Sequence, residues 1–232
     1  MLLAQGRSGD RVVSKQPGQD GEAILESPAV QREFFEESAK TDDSRITPRF
    51  TLLIRAAKLI CQQGEFICVI RDISSTGVSL RLFHALPRCD SFVLEFQTGH
   101  CSKVRNVWGS GREGGFAFLE PIDVMDVINE MGCFPKRGVR LGLEFPATIV
   151  THAQDVPAMV HNLSQQGARI RLDSPLAIDQ TVRIKGPGLN EVRSKVRWRR
   201  GGEYGLVFDD TFSLGDFAAL AARLQCPALL RC

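Results

Sequence analysis

Two short polar motifs in this sequence could do chemistry, and both recur. Asp72-x-Ser74-x-x-Gly77 returns 90 residues later as Asn162-x-Ser164-x-x-Gly167. The same offset pairs Trp108 with Trp198, Gly115 with Gly205 and Phe118 with Phe208, so the chain is a tandem repeat of one small domain. A short polar side chain followed by Ser and Gly is turn chemistry. Asx and Ser oxygens bond nearby backbone, and Gly is expected to supply a positive φ.

The second motif is cationic and precedes each copy. Arg45-x-x-x-Arg49 lies in a segment that Pro48 holds extended. Two guanidiniums at that interval can close on one polyanion, gripping phosphate oxygens bidentately, stacking on a base or forking onto a guanine edge. In the second copy the position reads Lys136-Arg137-Gly138-Val139-Arg140. Lys136-x-x-x-Arg140 keeps the interval but begins with a point charge; Arg137-x-x-Arg140 keeps the guanidinium but loses a residue. The second site is therefore expected to be weaker or differently used.

The elements that must position these motifs alternate with period 2. The first copy predicts strands at Leu52–Ile60, Phe66–Arg71, Val78–Leu82, Phe92–Phe96, Val104–Trp108 and Phe116–Leu119. The second predicts Leu143–Thr151, Ala158–Leu163, Ala168–Leu172, Val182–Lys185, Val192–Arg199 and Tyr204–Phe208. Each copy ends in a helical pattern, Asp123–Met131 and Ser213–Leu224, with Ser213 as N-cap of the latter. The Gly-rich stretch 109–115 joins two strands and opens no helix, so it reads as a hairpin loop rather than a phosphate cradle. This pattern defines a mainly β chain. Its segments are an arm at 1–44, expected to be largely disordered apart from a short helix after Ser27-Pro28, then domains at 45–132 and 133–232. The short connection at 132–136 implies contact between the two domains.

Composition excludes several classes. With 43% hydrophobic residues and a net charge of +2, the 232-residue chain is ordinary globular protein. Seven scattered Cys without a CxxC read as reduced thiols rather than a disulfide frame or zinc site. No run of apolar residues is long enough for a membrane span, and the expected location is the cytoplasm. His84, His100, His152 and His161 make no metal-ligand spacing, and no catalytic group is recognisable. Nine Lys/Arg crowd 169–200, and strand 192–199 divides into Val192, Ser194, Val196 and Trp198 on one face and Arg193, Lys195, Arg197 and Arg199 on the other. A nucleic-acid interface is disfavoured there, because Trp198 alternates away from the basic face.

Taken together, the Arg-x-x-x-Arg segment, the Asp/Asn-x-Ser-x-x-Gly turn, the Trp and the Gly-x-x-Phe strand resemble the PilZ domain, over about residues 45–225. The resemblance implies two tandem small six-stranded antiparallel β-barrels, each with a short closing α-helix. It implies cyclic di-GMP as ligand and no other cofactor or metal. Arg45 and Arg49 would clasp its phosphates and guanines, and Asp72, Ser74 and Gly77 would meet a guanine edge and the phosphate–ribose rim. Lys136, Arg137, Arg140, Asn162, Ser164 and Gly167 are the second-site candidates. The first domain is then the expected nucleotide sensor and the second a degenerate or output domain. Such a receptor would act on motility, biofilm or exopolysaccharide processes through a protein partner; a homodimer is also compatible. The alternative is a ligand-free PilZ-like adaptor that binds a protein of motility or secretion machinery.

Overall fold

The structure, a computed structural model, describes residues 50–128 and 138–231. The arm with its expected helix, Arg45, Arg49, Lys136, Arg137 and the end of the first closing helix all lie outside the described residues.

Strands β1 (Phe50–Cys61), β2 (Gly64–Ile73), β3 (Gly77–Leu82), β4 (Phe92–Glu95), β5 (Cys101–Ser110) and β6 (Glu113–Phe118) form a closed antiparallel barrel in the order β1-β2-β3-β6-β5-β4. The second copy contains β7 (Arg140–Leu141), β8 (Phe145–Val150), β9 (Asp155–Ser164), β10 (Gly167–Arg171), β11 (Thr181–Gly186), β12 (Leu189–Arg200) and β13 (Glu203–Phe208). Its six-stranded ring runs β8-β9-β10-β13-β12-β11, with the β9–β10 and β8–β11 pairings closing it. The short β7 pairs with the end of β9, Arg140 opposite Ser164 and Leu141 opposite Leu163. β7 and β8 together thus occupy the place of the single long β1. Both halves are six-stranded barrels, as the resemblance implies, built from the strands that the alternation predicts.

Alternation fills each barrel. Cys68, Ile70, Leu80, Leu94 and Phe116 point into the first, and Ile149, Val160, Ile170, Ile184 and Leu206 into the second. The repeat extends to the bonds that tie the turns down. Phe118 N donates to Thr76 O at 3.0 Å, and Phe208 N to Gln166 O at 2.9 Å. Ile122 N donates to Ser75 O, and Phe212 N to Gln165 O, both at 3.0 Å. The stretch 109–115 is tighter than a loop. β5 runs to Ser110 and β6 resumes at Glu113, leaving Gly111-Arg112 as the turn, with Gly111 at φ 57°.

The helices differ in what they cover. α1 (Val124–Ile128) is short, and Asp123 caps it by accepting from Met125 N at 2.8 Å. α2 (Leu214–Gln225) is capped by Ser213, whose Oγ accepts from Asp216 N at 3.1 Å. Phe217, Ala218, Leu220 and Ala221 of α2 join the second barrel's core, and so does Ile67, which belongs to the first. Ile67 lies on the outer face of β2, where alternation would expose it, yet it is fully buried there. Burying a side chain of this size contributes roughly 1.5–3 kcal/mol. Beside it the Gln225 amide accepts from Glu65 N and donates to Glu65 O, both at 2.7 Å, extending the β2 edge as a strand would. The two barrels therefore share a packed seam, with α2 between them.

Candidate functional site

The Asp/Asn-x-Ser-x-x-Gly motif sits at the β2–β3 turn and its counterpart at β9–β10. Both serines are buried and work inside the turn. Ser74 Oγ donates to Gly77 O at 3.2 Å and accepts from Gly77 N at 3.1 Å; Ser164 Oγ donates to Gly167 O at 3.1 Å. The glycines are not there for a positive φ, contrary to expectation: neither is among the residues with one. They are required because a neighbouring strand crosses too close for a side chain. A Cβ on Gly77 would come within 2.9 Å of the Phe116 carbonyl, and one on Gly167 within 2.1 Å of the Leu206 carbonyl. Serine and glycine thus build the turn, and the first residue of each motif is the one that faces outward.

Strand pairing places that residue at the end of a row across the outer wall. In the first barrel Asp72 is opposite Ser79, Ser79 opposite Gly115, and Gly115 opposite Trp108. In the second the row is Asn162, Arg169, Gly205, Trp198. The five-membered ring of each indole covers its glycine: a Cβ on Gly115 or Gly205 would lie 2.0 Å from the Trp Nε1. Each indole is also open to solvent, Trp108 at 49% and Trp198 at 42% exposure. This corrects the assignment of Trp198 to the face opposite the arginines. The β12–β13 register shifts between Val196 and Trp198, and the irregularity turns Arg197 and Trp198 outward together. The first barrel has the same shift between Asn106 and Trp108.

In the second barrel this row forms one wall of a cleft of about 260 Å³. Of the sequence-predicted residues, Arg140, Asn162, Ser164 and Gly167 line it; Arg169, Arg197 and Trp198 complete it without having been assigned to a site. The 90-residue recurrence of the Trp and Gly was the available signal for Trp198. Arg169 is only loosely held, 3.9 Å from Glu203, and its buried Nε has no hydrogen-bond partner among the described residues. Arg197 reaches Asp179 at 3.4 Å. The cleft thus offers guanidinium donors, an amide and a flat indole, a set suited to a planar base joined to an anion.

The first barrel's motif residues Asp72, Ser74 and Gly77 also come together, but with different chemistry. Asp72 Oδ2 accepts from Ser79 Oγ at 2.9 Å, where the second barrel has Arg169. The basic run at 169–200 is largely a paired outer surface: Arg183 with Glu191 at 3.0 Å, Lys185 with Asp155 at 2.9 Å and Arg193 with Asp209 at 3.1 Å. Burial pushes the Cys61 and Cys68 thiols up to about 12, so neither is a nucleophile at neutral pH. Among the described residues no three His, Cys, Asp or Glu gather as a metal site, and no helix is long and apolar enough to cross a membrane.

A closed small barrel with a cationic, indole-lined cleft on its outer wall has the build of a ligand-binding module. Residues 136–224 match the PilZ domain. The matched residues span the second barrel and its closing helix. No curated protein matches the sequence. Among solved structures, the chain is similar to PlzA of Borreliella burgdorferi in complex with c-di-GMP (14% identity, TM-score 0.33, covering 74% of this chain and 88% of that one). It is also similar to the inhibitor of motility MotI/DgrA of Bacillus subtilis (12% identity, TM-score 0.33, 78% and 99%). A third is YcgR of Escherichia coli in complex with c-di-GMP (10% identity, TM-score 0.27, 75% and 82%).

Proposed function

We propose that the protein is a cyclic di-GMP receptor whose second barrel carries a nucleotide seat. The observation behind this reading is the cleft that joins Arg140, Asn162, Arg169 and Trp198 on the PilZ barrel. Cyclic di-GMP presents two phosphates and two guanines. Arg140 and Arg169 suit a phosphate, Asn162 can both donate to and accept from a guanine edge, and Trp198 offers a stacking platform worth about 1–3 kcal/mol per base. The cleft takes one guanine with its phosphate, and the other half of the ligand extends over the rim.

The first barrel is a second proposed seat, and its case is Asp72 at the same place on the wall, an acceptor for guanine N–H donors, together with Arg45 and Arg49 in the sequence. Output passes to a cytoplasmic protein partner, or to a second copy of the chain, in a motility, biofilm or exopolysaccharide process. Calorimetric titration of the full chain with cyclic di-GMP tests the reading, with Trp198→Ala and Arg49→Ala alongside. Loss of micromolar binding in Trp198→Ala supports the second barrel as the seat, and loss in Arg49→Ala alone moves the sensor to the first. No heat with the unaltered protein overturns the receptor reading and leaves the adaptor.

A further inference from the structure

β7 is a two-residue strand that carries Arg140, and among the described residues only one of its edges is paired with a strand, β9. The other edge would present the Arg140 carbonyl and the Gly142 N–H, which point the same way along an extended chain. The first barrel meets both groups. Lys58 Nζ donates to Arg140 O at 3.3 Å, and Gly142 N donates to Glu65 Oε2 at 2.8 Å. Lys58 and Glu65 bond each other at 3.2 Å, and Glu95 holds Lys58 from the far side at 3.0 Å. Glu65 is itself fixed by the two backbone bonds from Gln225. A salt-bridged side-chain pair thus stands in for the missing neighbouring strand.

Lys58 lies in the middle of β1, on the barrel's outer face, and is buried nonetheless. Solvation would ordinarily keep a lysine out of such a place. Here the carboxylates on both sides and the two β7 backbone groups satisfy the cluster. The cluster meets the second barrel at the strand that presents Arg140 to the cleft, next to Leu141 and Leu143, which anchor it in the core.

We infer that Lys58 and Glu65 are positioning residues for the nucleotide cleft of the opposite barrel. They fix the free edge of β7 and so the place of Arg140, which makes affinity at the second barrel depend on the first. The inference rests on reading the cleft as a cyclic di-GMP seat, but the clamp on β7 can be measured without ligand.

The experiment uses the full chain with Lys58→Met, Glu65→Gln, Arg140→Ala and the Lys58→Met/Arg140→Ala double variant. Hydrogen exchange at the Gly142 amide is expected to speed at least about tenfold in Glu65→Gln, since a charge-assisted bond becomes a neutral one. Unchanged exchange there, in a variant that still unfolds cooperatively, overturns the clamp. Titration with cyclic di-GMP is expected to show about tenfold weaker binding in Lys58→Met and little further loss when the same change is made in Arg140→Ala. Unaltered affinity in Lys58→Met, or full additivity in the double variant, overturns the positioning role. If the unaltered chain does not bind the nucleotide, the ligand reading fails by itself and exchange at Gly142 still decides the clamp.

Discussion

The outer walls of the two barrels carry the same four-residue row with two of its members exchanged. Turn, bulge, glycine and covering tryptophan repeat at an offset of 90 residues, and so do the backbone bonds that hold them. What changes is the end of the row away from the tryptophan. Asp72 and Ser79 in the first barrel make an anionic, internally bonded pair; Asn162 and Arg169 in the second make a cationic one. A scaffold this rigid lets the sign of the local charge change without moving the platform beside it. Conserved packing and altered charge mean that the two walls share a shape and differ in which ligand edge they favour.

The sharpest way to break the comparison is at the motif glycines. Gly167→Ala drives a methyl to 2.1 Å from a backbone carbonyl, which only a shift of β13 can relieve, whereas Gly77→Ala meets the corresponding carbonyl at 2.9 Å. Chemical denaturation should show Gly167→Ala destabilised by about 3–4 kcal/mol and Gly77→Ala by about 1–2 kcal/mol. Equal losses would mean that the two turns are packed alike and the difference in approach is immaterial.

The tryptophans come next, and they are the only two in the chain. In Trp108→Phe, fluorescence reports Trp198 alone and should be quenched by cyclic di-GMP. Replacing Trp198 with Ala should cost binding about 1–3 kcal/mol. Quenching confined to the Trp198→Phe protein would put the occupied seat on the first barrel instead. Smaller still, Arg169→Ser gives the second wall the first wall's residue and should weaken binding about tenfold, as the loss of one charge-assisted bond. A matching gain in Asp72→Asn/Ser79→Arg would show that these two positions carry the difference between the walls.

Much of this was legible in the sequence, and where it was not the reasons are local. Alternation located the strands, because inward residues such as Leu80 and its counterpart Ile170 are flanked on both sides by polar neighbours. It failed at Trp198, where one extra residue in β12 reverses the face without leaving a compositional trace. Arg169 looked like one of many surface cations, since nothing in its own strand marks it as opposite Asn162. The seam was hidden for the same reason. Ile67 and Lys58 each read as outer-face residues of one barrel, and only the arrival of α2 and β7 from the other half explains why both are buried. The motif glycines were found for the wrong reason, a backbone angle instead of a crowded neighbour.

The smallest expected effect separates the halves by pH. His84 lies just after β3, buried, with its ring edge-on to Phe66 at 4.9 Å and Nδ1 donating to Ala85 O at 2.7 Å. The corresponding position of the second copy is Ser174, which does not titrate. Burial holds the His84 imidazole below its ordinary value of 6.5, the Ala85 bond offsets part of that, and nearby Arg112 adds to the lowering. Its Nε2 is buried without a partner among the described residues, so a proton there would create a cation those residues leave unpaired. As pH falls through about 6.5 the unfolded chain takes up a proton that the folded chain refuses, and stability present above that value is lost below it. His84→Asn keeps a donor for the Ala85 carbonyl but cannot charge. Its unfolding midpoint should fall less steeply than that of the unaltered protein between about pH 7 and pH 5.5, with the two converging in slope at higher pH. Parallel slopes throughout would show that the imidazole takes its proton without cost and that the first barrel carries no acid-sensitive group at this position.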